Sequence, residues 1–96
     1  MEQFEGHTIE AIGRRLQLTR SVLGLAQNAL CQRAGIATNT YNQYERGTNR
    51  PSVENAILLC EAFDLTLDWI YRGDPSGLRY DTADKIRTAK IKVCET

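Results

Sequence analysis

Residues 27–47 read Q-N-A-L-C-Q-R-A-G-I-A-T-N-T-Y-N-Q-Y-E-R-G, and the rest of the chain is arranged around them. Their apolar spacing predicts two short helices joined by a tight turn at Gly35. In the second helix, Tyr41 and Tyr44 fall on the apolar stripe. The intervening positions carry neutral side chains rich in hydrogen-bond donors and acceptors, namely Thr38, Asn39, Asn42 and Gln43. A helix with such a face suits base edges in the major groove of DNA.

The composition is that of one soluble globular domain. The chain has 96 residues, of which 42% are hydrophobic and 25% charged, enough for a single modest core. No apolar run approaches the roughly 18 residues of a membrane-spanning helix, and the N-terminus lacks the features of a secretion signal. These features predict a cytoplasmic protein. The three cysteines have no CxxC spacing and there is one histidine, so we expect neither a metal nor another cofactor.

The charge is zero in total but unevenly distributed. Residues 13–50 carry six arginines against one glutamate, for a net charge of +5. The neighbouring segments 1–12 and 51–78 carry −3 and −4, and residues 79–96 carry +2. Such a basic block is often only a solvated face. Because it coincides with the two-helix unit, it favours a nucleic-acid partner here.

Cap residues and apolar spacing predict five helices within residues 8–73. The first runs from Thr8 to about Leu23, the third from Thr38 to Arg46, and the last from Leu67 to Arg72. The fourth follows Ser52, with a predicted buried stripe of Val53, Ala56, Ile57, Leu59, Cys60 and Phe63. With short loops and no alternating strand pattern, the chain is expected to form an all-α, compact five-helix bundle.

Residues 74–96 form a separate extension in this interpretation. Thr82 to Val93 could make a sixth helix, but its apolar side is thin. The extension is therefore predicted either to take part in dimerisation or to be a flexible tail.

The segment 23–52, L-G-L-A-Q-N-A-L-C-Q-R-A-G-I-A-T-N-T-Y-N-Q-Y-E-R-G-T-N-R-P-S, resembles the Cro/repressor (XRE) helix-turn-helix family of phage and bacterial regulators. The similarity continues through L-C-E-A-F-D-L-T-L-D-W-I and covers about residues 9–73. Several independent features agree, including Gln27 at the start of the second helix, the A-G turn and the E-R-G ending. The resemblance implies a lambda-repressor-like bundle.

The resemblance also assigns roles to individual residues. In this family the third helix enters the major groove and the second lies across the DNA backbone. Thr38, Asn39 and Gln43 match base-reading positions, with Asn42 beside them. The positions that commonly contact phosphates are Gln27, Asn28, Arg46 and Arg50. Arg20 and Glu45 match a pair that often forms a partly buried salt bridge between the first and third helices.

Three positions leave alternatives open. Gln27 could cap its helix instead of binding a phosphate. Ala37 stands where the family usually has Ser or Thr as the cap of the third helix, so Thr38 or Asn39 could take over that cap. Tyr41 and Tyr44 replace the more usual Ile or Leu. They could be larger core residues whose hydroxyls reach the protein surface, or a hydroxyl could bind a phosphate.

A dimer is expected because one recognition helix reads only a few base pairs. Trp69, Ile70 and Tyr71 are three large side chains in a row, more than one face of a helix in a small bundle can bury. They are the predicted dimer interface, although Trp69 could equally close the core.

The sequence thus predicts a sequence-specific double-stranded DNA-binding transcriptional regulator, most simply a repressor that binds a (pseudo)palindromic operator as a homodimer. The alternative is a protein-interaction module, or an antitoxin-like protein that binds a partner, on the same bundle. Zero net charge and the acidic segment 51–78 favour that alternative, whereas the amide-rich face does not. No catalytic set of side chains is recognisable, so we do not expect an enzyme.

Overall fold

In the computed structural model, residues 7–95 are described, with side chains described up to residue 89. Helices are the only regular secondary structure in this part of the chain. In chain order they are α1 (Ile9–Leu23), α2 (Gln27–Ala34), α3 (Thr38–Arg46), α4 (Val53–Phe63), α5 (Asp68–Arg72) and α6 (Tyr80–Glu95). The fifth is a short π-helix. The predicted all-α bundle is confirmed, and the sixth helix is present.

Polar caps and left-handed residues determine where the helices begin and end. Thr8 and Ser52 each accept a hydrogen bond, 3.1 Å long, from the backbone N–H three residues further on. Thr66 does the same for Trp69, at 3.0 Å. The first three helices end at glycines with positive φ, whereas α4 ends at Asp64 with a φ of 58°.

Trp69 joins α5 to α1 at the centre of the bundle. Its side chain is 1% exposed, and its Nε1 donates a hydrogen bond to Thr19 Oγ1 at 2.9 Å. Arg15, also on α1, donates from Nη1 to the carbonyl oxygen of Ile70 at 2.7 Å. The Arg15 guanidinium carbon lies 5.6 Å from the centroid of the Trp69 ring, within range of a cation–π interaction.

This packing corrects the predicted dimer interface. Trp69 and Ile70 are 1% and 0% exposed within a single chain, so neither can contact a second chain in this conformation. Only Tyr71 stays partly exposed, and its hydroxyl donates to the carbonyl oxygen of Pro51 at 2.8 Å. Trp69 and Ile70 are therefore core residues, and Tyr71 packs against the edge of the core.

The buried stripe of α4 is narrower than predicted. Ala56, Leu59 and Phe63 are buried, but Val53 and Ile57 are 57% and 41% exposed. These two residues lie one turn apart on a flank of α4 that no described residue covers fully. Apolar spacing alone therefore overestimated the width of the buried face.

The core continues beyond residue 73. Leu78 and Ile86 are 8% and 3% exposed and belong to the same apolar cluster as the rest of the bundle. α6 packs against α1 and begins at Tyr80, two residues before its predicted start. The side chains of Val93 and Cys94 lie outside the described residues, while Cys31 and Cys60 are free thiols. No helix in residues 7–95 is long and apolar enough to cross a membrane.

Gly13 brings α1 into close contact with the end of α3, which the sequence analysis did not anticipate. A Cβ atom at this buried position would lie 2.7 Å from the carbonyl oxygens of both Tyr44 and Glu45. These are backbone atoms, which cannot move aside as the end of a flexible side chain would. The two helices can approach this closely only because residue 13 lacks a side chain.

Gly13→Ala is expected to destabilise the protein by about 1–3 kcal/mol, because the added methyl group overpacks the contact between α1 and α3. Helix propensity alone predicts the opposite sign, a gain of about 1 kcal/mol. Urea unfolding followed by circular dichroism measures the difference. Ser21→Ala, at an exposed position of the same helix, is the control for propensity. A stabilised Gly13→Ala variant would contradict the close approach.

Ile86→Ala is expected to lower the free energy of unfolding by about 2–5 kcal/mol, because it leaves a cavity in the core. Lys85→Ala, which changes the exposed neighbour, should have little effect. The same unfolding measurement compares the two variants. Equal stabilities would mean that α6 does not contribute to the core.

Candidate nucleic-acid interface

The outer face of α3 carries the side chains that the sequence assigned to base contacts. Thr38, Asn39 and Gln43 are exposed and Asn42 is partly buried. They occupy helix positions i, i+1, i+4 and i+5, so they share one side of the helix. Arg46, at position i+8 and also exposed, continues this side to the end of the helix. We call these five residues the amide face of α3.

The inner face of α3 holds two tyrosines against the core. Tyr41 is 0% exposed, and its ring meets that of Tyr44 edge to face, with centroids 6.2 Å apart. The Tyr44 hydroxyl accepts a hydrogen bond from Asn55 Nδ2 at 2.8 Å. Both tyrosines are therefore core residues, and neither hydroxyl is placed to bind a phosphate.

A partly buried ion pair connects α3 to α1. The Glu45 side chain is 3% exposed, and its Oε2 lies 2.7 Å from Arg20 Nε. Arg20 Nη2 donates to the other carboxylate oxygen at 3.1 Å, so the pair is bidentate. Arg20 Nη1 also donates to the carbonyl oxygen of Leu25, at 3.0 Å, in the loop before α2. One guanidinium thus holds α3 and this loop against α1.

Gln27, at the start of α2, completes this network. Its Nε2 donates to Glu45 Oε1 at 2.9 Å and to Asn42 Oδ1 at 3.2 Å. The donor group of the Gln27 side chain is thus directed at α3, and the phosphate contact expected for Gln27 stays a prediction. The start of α2 therefore lies directly beside the amide face.

Burial and hydrogen bonding have opposite effects on Glu45. Burial raises the pKa of the carboxyl group, but the hydrogen bond from Arg20, the Tyr41 hydroxyl and the hydrogen bond from Gln27 lower it. The balance holds the pKa of Glu45 below its usual value, so the group is ionised at neutral pH. The Tyr41 hydroxyl is buried and has no hydrogen-bond partner among the described residues. Burial and the nearby carboxylate raise the pKa of Tyr41.

The N-termini of α2 and α3 are not capped by side chains. Ala26 and Ala37 occupy the two N-cap positions, and no side chain accepts a hydrogen bond there. Thr38 and Asn39 therefore do not take over the cap of α3. By contrast, α1 and α4 have side-chain caps. The backbone N–H groups and the positive dipole ends of α2 and α3 suit an anion such as phosphate.

The other predicted phosphate contacts lie on the amide face or beside it. Asn28 is exposed on the first turn of α2, and Arg46 is exposed on the last turn of α3. Arg50 is exposed in the loop after α3, where its Nη1 donates to the carbonyl oxygen of His7 at 2.8 Å. This contact connects the loop to the residue before the Thr8 cap.

Two polar residues near the site had no recognisable signal in the sequence. Gln17, on α1, donates to the carbonyl oxygen of Glu45 at 3.2 Å and supports the end of α3. Asn49 donates from Nδ2 to Gln43 Oε1, so it contacts a predicted base-reading side chain. Both contacts depend on how helices and loops meet in space, which spacing along the chain does not reveal.

The chemistry of the site is that of hydrogen bonding. Within the described residues, no three or more His, Cys, Asp or Glu side chains come together as a metal site. What the face offers is amide, hydroxyl and guanidinium groups on a helix of nine residues.

Comparison with known protein families gives a match that includes α2 and α3. A family model described as helix-turn-helix (HTH_3) matches residues 22–70, about half of the chain. A transcriptional regulator in the ATPase CF(0) region of Rhodospirillum rubrum is 32% identical over 74 residues, which cover 72% of this chain and 68% of the relative.

Two further relatives carry names of the same kind. The transcriptional regulator YobD of Bacillus subtilis (strain 168) is 27% identical over 79 residues, 82% of this chain and 66% of YobD. Repressor protein C2 of Salmonella phage P22 is 30% identical over 67 residues, 70% of this chain but 31% of the repressor. The chain thus spans about a third of the phage protein and about two thirds of the other two. No solved structure matches the chain.

Glu45→Gln is expected to lower the free energy of unfolding at pH 7 by about 3 kcal/mol, because it leaves Arg20 without its carboxylate partner. Glu61→Gln, at an exposed position of α4, should change it by less than about 0.5 kcal/mol. Urea unfolding of the three proteins measures both effects. Equal losses in the two variants would contradict a structural role for the ion pair.

The effect of Glu45→Gln is also expected to depend on pH. The folded-state pKa of Glu45 lies below its unfolded value of about 4.3. Its contribution to stability is therefore fully present above that value and is lost as the pH falls through the folded-state pKa. The stability difference between the wild type and the variant should shrink between pH 7 and pH 3. A difference that stays constant over this range would contradict the lowered pKa.

Proposed function

The chain belongs to the XRE-type helix-turn-helix family and is a DNA-binding transcriptional regulator, not an enzyme, and from this premise we propose that it represses transcription as a homodimer on a (pseudo)palindromic operator. In this proposal α3 enters the major groove and α2 lies across the DNA backbone. A repressor of this kind prevents transcription by occupying the promoter. In this proposal the protein acts on DNA in the bacterial cytoplasm.

The observation that carries the proposal is the amide face of α3. It is uncharged except for Arg46, exposed apart from the partly buried Asn42, and able both to donate and to accept hydrogen bonds. Base edges in the major groove are distinguished by donors and acceptors, so this is the chemistry that reads sequence. A surface that docks protein would be expected to be apolar at its centre, which this face is not.

Phosphate contacts would orient α3 in the groove. The uncapped N-terminus of α2 supplies backbone N–H groups, and Asn28 adds a side-chain amide on the same turn. Arg46 and Arg50 provide positive charge at the C-terminal end of α3 and in the loop that follows it. Such contacts hold the protein on any duplex and determine its register, while base contacts choose the sequence.

The homodimer and repressor parts of the proposal have separate support. One helix the length of α3 contacts only a few base pairs, and two copies on half-sites about one helical turn apart give a useful affinity. The exposed apolar side chains of Val53, Ile57 and Leu67 are available for a contact between copies. Repression is suggested by the name of the phage P22 relative.

Binding to a fragment that spans the upstream region of the protein's own gene, measured across a salt series, tests this function. We expect sub-micromolar affinity that survives competitor DNA, a stoichiometry of two chains per duplex, and a steep loss of affinity with salt. Weak binding that is equal on every sequence, confirmed by a selection from random duplexes that yields no motif, would contradict the proposal.

Variants separate phosphate contacts from base contacts. Arg46→Ala should weaken binding to all duplexes and reduce the salt slope by about 1, whereas Asn39→Ala should weaken only the specific complex, by about tenfold. Arg72→Ala removes an exposed arginine of α5, on another part of the bundle, and should change neither quantity. Equal effects of Arg46→Ala and Arg72→Ala would mean that the end of α3 does not meet DNA.

A further inference from the structure

The buried carboxylate of Glu45 determines which way the amide of Gln27 points. An ionised carboxylate only accepts hydrogen bonds, and an amide presents an oxygen on one side and an NH2 group on the other. Gln27 approaches Glu45 Oε1 at 2.9 Å. If the amide were reversed, two oxygens would face each other at that distance. The NH2 group must therefore face Glu45.

The same NH2 group then determines the orientation of Asn42. One of its hydrogens goes to Glu45, and the other faces Asn42 at 3.2 Å. Since Gln27 donates this hydrogen bond, the Asn42 atom that faces it must be the acceptor, Oδ1. Asn42 is partly buried, so water cannot readily replace this contact. The group that Asn42 can offer to a ligand is its Nδ2 amide.

The other two amides of the face are not constrained in this way. Gln43 Oε1 accepts from Asn49, but both side chains are exposed amides that can exchange donor and acceptor roles together. Asn39 is exposed, and no described group orients its amide. These two can turn to suit adenine, which needs a donor and an acceptor side by side. Asn42 cannot, as long as Gln27 holds it.

We propose that Gln27 and Glu45 act as positioning residues that hold Asn42 as a fixed hydrogen-bond donor, so that Asn42 selects a base with a keto oxygen in the major groove. Guanine O6 and thymine O4 accept at this edge, whereas adenine N6 and cytosine N4 donate. The N7 acceptor is common to both purines, so the discrimination requires that Asn42 Nδ2 faces the position of O6 or O4. Asn42 is thereby a specificity-determining residue. This inference rests on the proposed function, because it requires α3 to lie in the major groove.

Selection of bound duplexes from a random pool, followed by sequencing, tests the proposal through the base preference at each position. For the wild type we expect one position in each half-site with a preference of about fivefold or more for guanine or thymine over adenine and cytosine. Gln27→Met keeps the length of the side chain but removes its amide. In this variant Asn42 can turn over, so adenine should be accepted at that position while the other positions keep their preferences.

Asn42→Asp is a second variant for the same selection experiment, and it tests the proposal independently if Gln27→Met does not fold. The carboxylate of the new side chain still accepts from Gln27, and it presents an acceptor to DNA in place of the donor. The preference at the same position should invert towards cytosine or adenine. Asn39→Asp is the matched control, because it adds the same charge to the same face but should alter a different position. Circular dichroism establishes that each variant is folded.

The outcomes distinguish the inference from the function on which it rests. A relaxed preference in Gln27→Met, or an inverted one in Asn42→Asp, at one shared position supports the inference. A wild-type motif that both folded variants reproduce unchanged would overturn the inference and leave the proposed function intact. The absence of any motif with the wild type would overturn both.

Discussion

A carboxylate buried in a protein this small must be paired, and the pairing of Glu45 organises the half of the bundle that carries the amide face. Its two oxygens accept from Arg20 on α1 and from Gln27 on α2. Arg20 extends the connection to the carbonyl oxygen of Leu25 in the loop between those helices. Three helices and a loop thus meet at one charge. Removing either charged partner would leave the other uncompensated, which is why the arrangement tolerates little change.

The Glu45 carboxylate also influences the surface, through a chain of hydrogen bonds. Glu45 orients Gln27, and Gln27 orients Asn42, so the carboxylate determines which atom Asn42 presents on the amide face of α3. The close contact of α1 with α3 at Gly13 brings the two helices near enough for this pairing. Such preorganisation reduces the conformational freedom that the side chains would otherwise lose on binding DNA.

Much of this could be predicted from the sequence because it depends on local rules. Cap residues such as Thr8 and Ser52 and the glycines at the helix ends determine the boundaries, and each acts within a few residues of itself. The amide face also follows from local periodicity, since positions 38, 39, 42 and 43 share a side of any regular helix. The ion pair between Arg20 and Glu45 was expected from the family resemblance, and the structure places the two side chains in direct contact.

The features that were missed depend on how distant elements meet. Trp69 and Ile70 looked too large for a small core, yet the π-helix and Thr19 accommodate them. The contacts of Gln27 with Asn42 and Glu45 were not foreseen, because these two residues lie fifteen and eighteen residues away along the chain. Val53 and Ile57 fit a helical stripe, but the bundle covers only part of that stripe.

The most direct test of the central claim, that the amide face held by Glu45 is the surface that meets DNA, is an NMR titration of the 15N-labelled protein with a duplex chosen by selection. The account predicts that the largest shifts occur in the backbone amides of residues 27–29 and 38–46 and in the side-chain NH2 group of Asn42. The resonances of α6 should change little. The largest shifts in α4 and α6, with α3 unaffected, would contradict it.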